Sequence, residues 1–281
     1  MELFVSTSGT KSSSLDSATF LIQHGYRNIE LSGGCHIEDL ETKLDVLTAQ
    51  TMAVMLHNYF PPPSKPFVFN LASNDSETIS LSMTLAKHAI EISGKYGFPY
   101  FGIHAGFLMD PKVSELGNKI RTTKLQDRNI ALEVFTQNAL ELSVHARALN
   151  VTLLVENNVV SDANFKSFGE DPFLLSSATE IYEFFENNGN DIGFLLDLGH
   201  FNVSTHTLNE PREYSLSKIN DYIVGYHLHD NSRLSDQHLG LNNDSWFLPF
   251  LNPNAKFGTL EIHSQDIAEI QSSIRVLEGV L

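Results

Sequence analysis

Tyr222-Ile223-Val224-Gly225-Tyr226-His227-Leu228-His229-Asp230-Asn231, followed closely by Asp236-Gln237-His238, is the stretch that decides how the rest of the chain is read. Its apolar start, Tyr222, Ile223 and Val224, reads as a buried strand. Directly after it, five groups able to ligate a metal or carry a proton fall within twelve residues: His227, His229, Asp230, Asp236 and His238. A buried carboxylate or imidazolium without a partner is costly. The cluster therefore calls for partners, metal ions first, and for matching groups elsewhere in the sequence.

Working outward, short apolar or β-branched runs alternate with longer helical patterns, the signature of repeated strand-helix-strand units. Strands are expected over 3–6, 28–31, 51–56, 100–103, 152–155, 192–196, 222–226 and 259–262, and helices over 12–24, 37–49, 76–96, 125–149, 172–187, 215–219 and 265–281. Pro61-Pro62-Pro63 forbids helix and ladder alike and opens an extended excursion to about Asp75; a second excursion covers 159–171. Eight strands in this order point to an α/β chain folded as one closed (β/α)8 TIM barrel over 1–281, in preference to an open doubly wound sheet.

In such a barrel the C-terminal strand ends meet on one rim, where active sites lie. Read in order, those ends carry His57, His104, Glu156, Asp197 with His200, His227, Asp236 with His238 in the following loop, and Glu261. All are imidazoles or carboxylates, a donor set suited to zinc, manganese, iron or cobalt. His229 is expected to contact substrate or to support a ligand, and Asp230 to accept from a ligating histidine. His24, His36, His88, His145, His206 and His263 read as surface or packing residues.

Thirty-four acidic against eighteen basic residues give a formal charge of −16 and no basic block, which argues against nucleic acid as the partner and for a small molecule. The single cysteine, Cys35, excludes an intrachain disulfide and suggests a reducing, cytoplasmic setting. No apolar run approaches the ~20 residues a membrane span needs.

Glu156-Asn157, Asp197-Leu198-Gly199-His200, His227-Leu228-His229-Asp230-Asn231, Asp236-Gln237-His238 and Leu260-Glu261 together resemble the motifs of the xylose isomerase-like TIM-barrel superfamily. Its sugar isomerase and epimerase branch implies one divalent ion, zinc or manganese, held by Glu156, Asp197, His227 and Glu261. In that branch Glu156 and Glu261 also act as the catalytic proton-transfer pair, and His200 holds a substrate hydroxyl. Arg233 is a further substrate contact, and Phe60, Phe107 and Trp246 shape the carbohydrate pocket. Many such enzymes are dimers.

The type IV apurinic/apyrimidinic endonuclease branch implies up to three zinc ions. His57, His104 and Glu156 would hold one, Glu156, Asp197, His227 and Glu261 a second, and His200, Asp236 and His238 a third, for phosphodiester hydrolysis. All nine ligand types are present. The rim loops differ from that branch, with Asn158-Val159-Val160-Ser161-Asp162 in place of a glycine-containing loop after the fifth strand, and Ser6-Thr7-Ser8-Gly9-Thr10-Lys11 after the first. The isomerase or epimerase expectation is therefore preferred.

Overall fold

Side chains alternate along eight short parallel strands, and that alternation sorts the chain into three environments. The computed structural model describes residues 1–8, 13–115, 120–121, 124–264 and 266–280. The strands are β1 (Glu2–Ser6), β2 (Asn28–Leu31), β3 (Ala53–Leu56), β4 (Tyr100–His104), β5 (Thr152–Glu156), β6 (Gly193–Asp197), β7 (Ile223–Leu228) and β8 (Phe257–Leu260). They close in sequence order, β8 pairing back with β1, into a parallel barrel. The fold is a (β/α)8 TIM barrel.

Around it stand α1 (Ser14–Gln23), α2 (Leu40–Thr48), α3 (Ser76–Tyr96), α4 (Arg128–Ala148), α5 (Asp162–Phe168), α6 (Ala178–Asn188), α7 (Leu198–Thr207), α8 (Arg212–Ile219) and α9 (Ile267–Glu278). One set of strand side chains, including Ile29, Leu31, Leu153, Val155, Phe194, Leu196, Tyr226 and Leu228, joins the main core between strands and helices. The alternate set points into the bore. There Phe4, Met55, Leu154, Leu195 and Phe257 form a separate apolar plug. Gly225 makes room for it: a Cβ at that position would lie 2.3 Å from the Phe257 ring.

Above the plug the same inward set turns polar. His104 pairs in register with Glu156 across β4 and β5, and Asp197 with His227 across β6 and β7. A period of two therefore places these residues in one layer at the rim.

Several boundaries differ from the sequence expectation. β7 continues through His227 and Leu228, because the strand ladder extends past the apolar run and neighbouring carboxylates receive the histidine. β8 lies two residues earlier than expected. Pro172 does not open α6; residues 172–176 instead cross the rim, where Phe173 bridges Phe107, and the helix begins after its N-cap Ser177, whose hydroxyl accepts from Glu180 N. α5 within the second excursion and α7 after β6 were not expected. α7 is buried from Leu198 to Thr205, so it lacks the one-sided apolar stripe by which a surface helix is recognised. Ser12, Gln265 and Leu281, ends of expected helices, lie outside the described residues. Among the described residues no helix is long and apolar enough to cross a membrane.

The plug has little freedom to collapse, since closed strands surround it. Leu154→Ala should cost about 2–5 kcal/mol of unfolding free energy, readable as a lower denaturation midpoint at unchanged slope.

Candidate metal centre

Glu156 is the hub of the rim layer. Its Oε2 lies 2.6 Å from His57 Nε2 and 3.4 Å from His104 Nδ1. Its Oε1 lies 3.3 Å from His227 Nδ1 and 3.4 Å from His200 Nδ1. The same His227 nitrogen is 2.9 Å from Glu261 Oε2 and 3.8 Å from Asp197 Oδ2. Glu156, Asp197 and His227 are fully buried, whereas His104 and Asp236 keep 30% and 22% of their side-chain surface. The cluster thus opens on the side where those two stand.

Local structure fixes each ligand candidate. Asn157 clamps Asp197 by accepting from its backbone N at 2.8 Å and donating Nδ2 to its carbonyl at 3.1 Å. Asp197 then caps α7, accepting from His200 N at 2.6 Å. His200 donates Nδ1–H to the Asn157 carbonyl at 2.9 Å, and His238 donates Nδ1–H to the Glu261 carbonyl at 3.0 Å. Both Nε2 atoms are left facing Asp236, at 3.3 and 2.9 Å. Such a backing partner sets the tautomer a metal ligand needs.

Charge neutralisation is mutual. Burial works against the Glu156 charge, yet the imidazoles of His104, His227 and His57 outweigh it and hold the carboxyl well below the usual range. Glu261 is likewise depressed despite burial, chiefly by His227. His227 is raised well above an ordinary imidazole, because Glu30, Glu261 and Glu156 overcome its burial. His104 is lowered to about 4: burial and the His57 and His200 imidazoles outweigh Glu156.

Four groups bring potential ligand atoms within 4.8 Å of one another: Glu156, Asp197, His227 and Glu261; His57, His104 and Glu156; His200, His229, Asp236 and His238; and Glu30, His57 and His227. Three buried polar atoms in these groups, Glu30 Oε1, His229 Nδ1 and Asp236 Oδ1, have no hydrogen-bond partner. Convergent N and O donors with partnerless buried atoms fit divalent cations such as zinc or manganese.

Sequence reasoning missed one residue here, Glu30. Glu30 is fully buried inside β2, its Oε2 2.9 Å from His227 Nε2. It stands inside its strand rather than after it, and its position between outward-facing Ile29 and Leu31 marks it as inward-facing. His263 is exposed, but its ring stacks on His238 at 4.0 Å, and His238 stacks in turn on His229 at 3.9 Å. His229 sits over Gly199, where a Cβ would fall 1.9 Å from the ring, and its Nε2 lies 3.0 and 3.1 Å from the Asp197 carboxylate.

The expected pocket residues are dispersed. Phe107 is half-buried on the rim and packs edge-on against Phe173 at 5.5 Å. Phe60 is fully enclosed in the core and offers no surface to a ligand. Trp246 packs among Phe201, Phe247 and Phe250 with the Arg212 guanidinium 4.1 Å over its ring. Arg233 is half-buried, its backbone N donating to Asn231 Oδ1 at 3.0 Å, and its charge adds to that of Arg212 in depressing Glu213 on α8.

Residues 20–273 match the family described as xylose isomerase-like TIM barrel, and the chain belongs to that family. In structure it is similar to a D-tagatose 3-epimerase-like protein, at 16% identity and a TM-score of 0.73 over 100% of this chain and 97% of the other. It is similar also to D-psicose 3-epimerase from Clostridium cellulolyticum crystallised with D-tagatose, at 12% identity and a TM-score of 0.65 over 100% and 99%. A third, a Thermus thermophilus protein soaked with ZnCl2, aligns at 16% identity and a TM-score of 0.60 over 99% and 98%. At these identities the likeness is one of fold. No curated protein matches the chain in sequence.

The cluster makes a pH signature. Burial opposes charge on His238, but Asp236 and Glu261 outweigh it and raise its pKa to about 9 from 6.5. A raised imidazole contributes stability in full below its unfolded pKa and loses it as pH climbs through the folded value. Chelator-stripped protein should therefore melt at falling temperatures as pH rises from about 6.5 to about 9. Zn2+-loaded protein, whose ligating imidazoles are neutral, should hold its melting temperature over that window.

Proposed function

We propose that the chain is a divalent-metal-dependent isomerase or epimerase of a sugar or sugar-phosphate-like substrate. The observation that carries this reading is a pair of carboxylates, Glu156 and Glu261, converging with Asp197 and His227 on one point at the barrel mouth. The D-tagatose 3-epimerase-like protein and D-psicose 3-epimerase among its structural relatives support the carbohydrate class. A bound zinc or manganese ion would polarise the substrate carbonyl, acidify the adjacent C–H and stabilise the enediolate that follows proton removal.

The protein residues do the rest. Glu156 and Glu261 are both held as carboxylates, the form a base needs. They approach His227 Nδ1 at 3.3 and 2.9 Å. One carboxylate takes the proton from the carbon beside the carbonyl, and the residue so protonated returns it to the neighbouring carbon, while return to the opposite face requires the other glutamate to have taken a proton from solvent first. His200, at the cluster's open side, orients a substrate hydroxyl, and Phe107 walls the entry. Burial beneath the rim keeps bulk water from quenching the carbanionic intermediate.

A second reading is favoured by one specific observation: His57 and His104 flank Glu156 on one side, and His200, Asp236 and His238 gather on the other. These residues would hold two or three divalent ions, a donor set that would suit phosphodiester hydrolysis as in the type IV endonucleases.

Two measurements separate them. On the first reading, about one ion per chain supports exchange of solvent deuterium into the carbon beside a ketose carbonyl, and Glu156→Gln or Glu261→Gln lowers that exchange by about 10²–10⁴-fold. Undiminished exchange in both variants removes the proton-transfer roles. Three ions per chain, with cleavage of an abasic oligonucleotide that disappears in His200→Ala or Asp236→Asn, decides for hydrolysis.

A further inference from the structure

Two of the imidazoles that face the centre are held from behind by main-chain carbonyls, and a third is held by a buried carboxylate. His200 and His238 give Nδ1–H to main-chain carbonyls and turn Nε2 inward. His227 is reversed. Its Nδ1 faces Glu261, Glu156 and Asp197 at 2.9, 3.3 and 3.8 Å, and its Nε2 lies against the Glu30 carboxylate at 2.9 Å.

Glu30 is fully buried, and His227 is the hydrogen-bond partner of its Oε2 while Oε1 has none. Burying a carboxylate with half its acceptor capacity unused is expensive, and an apolar residue like Ile29 or Leu31 on either side would pack there at no such cost. Its potential ligand atom also lies within 4.8 Å of those of His57 and His227. A structural role alone leaves that expense unexplained, whereas a negative charge behind a metal-ligating imidazole makes the ring a stronger donor and fixes which nitrogen is free.

We propose that Glu30 is the positioning residue of this centre: its carboxylate accepts the His227 Nε2–H, locks that tautomer and aims the Nδ1 lone pair at the cation site shared with Glu156, Asp197 and Glu261. The inference rests on the reading of these residues as a divalent-cation site and is the same whether the chemistry is isomerisation or hydrolysis. It adds a member from β2 to a centre otherwise built from β3 to β8 and their loops.

The experiment is Zn2+ binding by competition with a chromophoric chelator on wild-type, Glu30→Gln and Glu30→Ala protein, beside ¹⁵N spectra of histidine-labelled wild-type chain loaded with Zn2+. Glu30→Ala should weaken one Zn2+ site by about 10–100-fold. Glu30→Gln should lose less, since its amide oxygen still accepts from Nε2–H. His227 in the loaded wild type, assigned by its loss in His227→Asn, should be protonated at Nε2 only.

Unchanged Zn2+ affinity in both variants, or a His227 ring protonated at Nδ1, overturns the positioning role and leaves the cation site standing. Failure of wild-type protein to bind Zn2+ overturns both. The tautomer measurement needs no Glu30 variant, so it decides even if Glu30→Ala does not fold.

Discussion

Mutual neutralisation inside the barrel mouth is the constraint on which the rest of the structure depends. Five carboxylates (Glu30, Glu156, Asp197, Asp236 and Glu261) and six imidazoles (His57, His104, His200, His227, His229 and His238) occupy one region with potential ligand atoms a few ångströms apart. None of these charges would tolerate such burial alone. Strand register is what brings acid beside base: His104 pairs with Glu156, and Asp197 with His227. The apolar plug of Phe4, Met55, Leu154, Leu195 and Phe257 supports the layer from below and keeps it at the rim.

The carboxylates and imidazoles also divide into two depths. Glu156, Asp197, His227 and Glu30 are closed to solvent, whereas His104 and Asp236 stand in the opening. Deep groups feel low dielectric and interact strongly, which suits control of charge on a reacting carbon. Outer groups sit where a substrate hydroxyl or phosphate would first arrive. The two proposed chemistries differ in which depth does the work.

The barrel was legible because each strand declares itself by an apolar run and each rim residue follows one. Glu156 after Leu153-Leu154-Val155 and Asp197 after Phe194-Leu195-Leu196 are clear cases. Glu30 escaped because it stands inside its strand, where only the side-chain period distinguishes it from its neighbours. α7 escaped because a helix buried on nearly all sides has no stripe to find. Phe60 and Trp246 were expected in the pocket but pack elsewhere, since an aromatic near a rim motif serves a pocket or a core equally well until the loop path is known. His263 read as a surface or packing residue, and its exposed ring does pack flat on His238.

The loop that carries Asp236 and His238 is pinned at its base by two main-chain bonds between Asp230 and Leu239, 2.9 and 2.8 Å long. Inside that clasp, Arg233 and His238 adopt left-handed backbone conformations that non-glycine residues rarely hold, so the loop path is tightly determined. Length drift during divergence would thus be poorly tolerated in this loop. The neighbouring segment is tied to the same clasp, Ser245 Oγ donating to Asp230 Oδ2 at 2.8 Å, and a single insertion between Asn231 and Gln237 would swing Asp236 out of reach and leave the inner layer to work on its own.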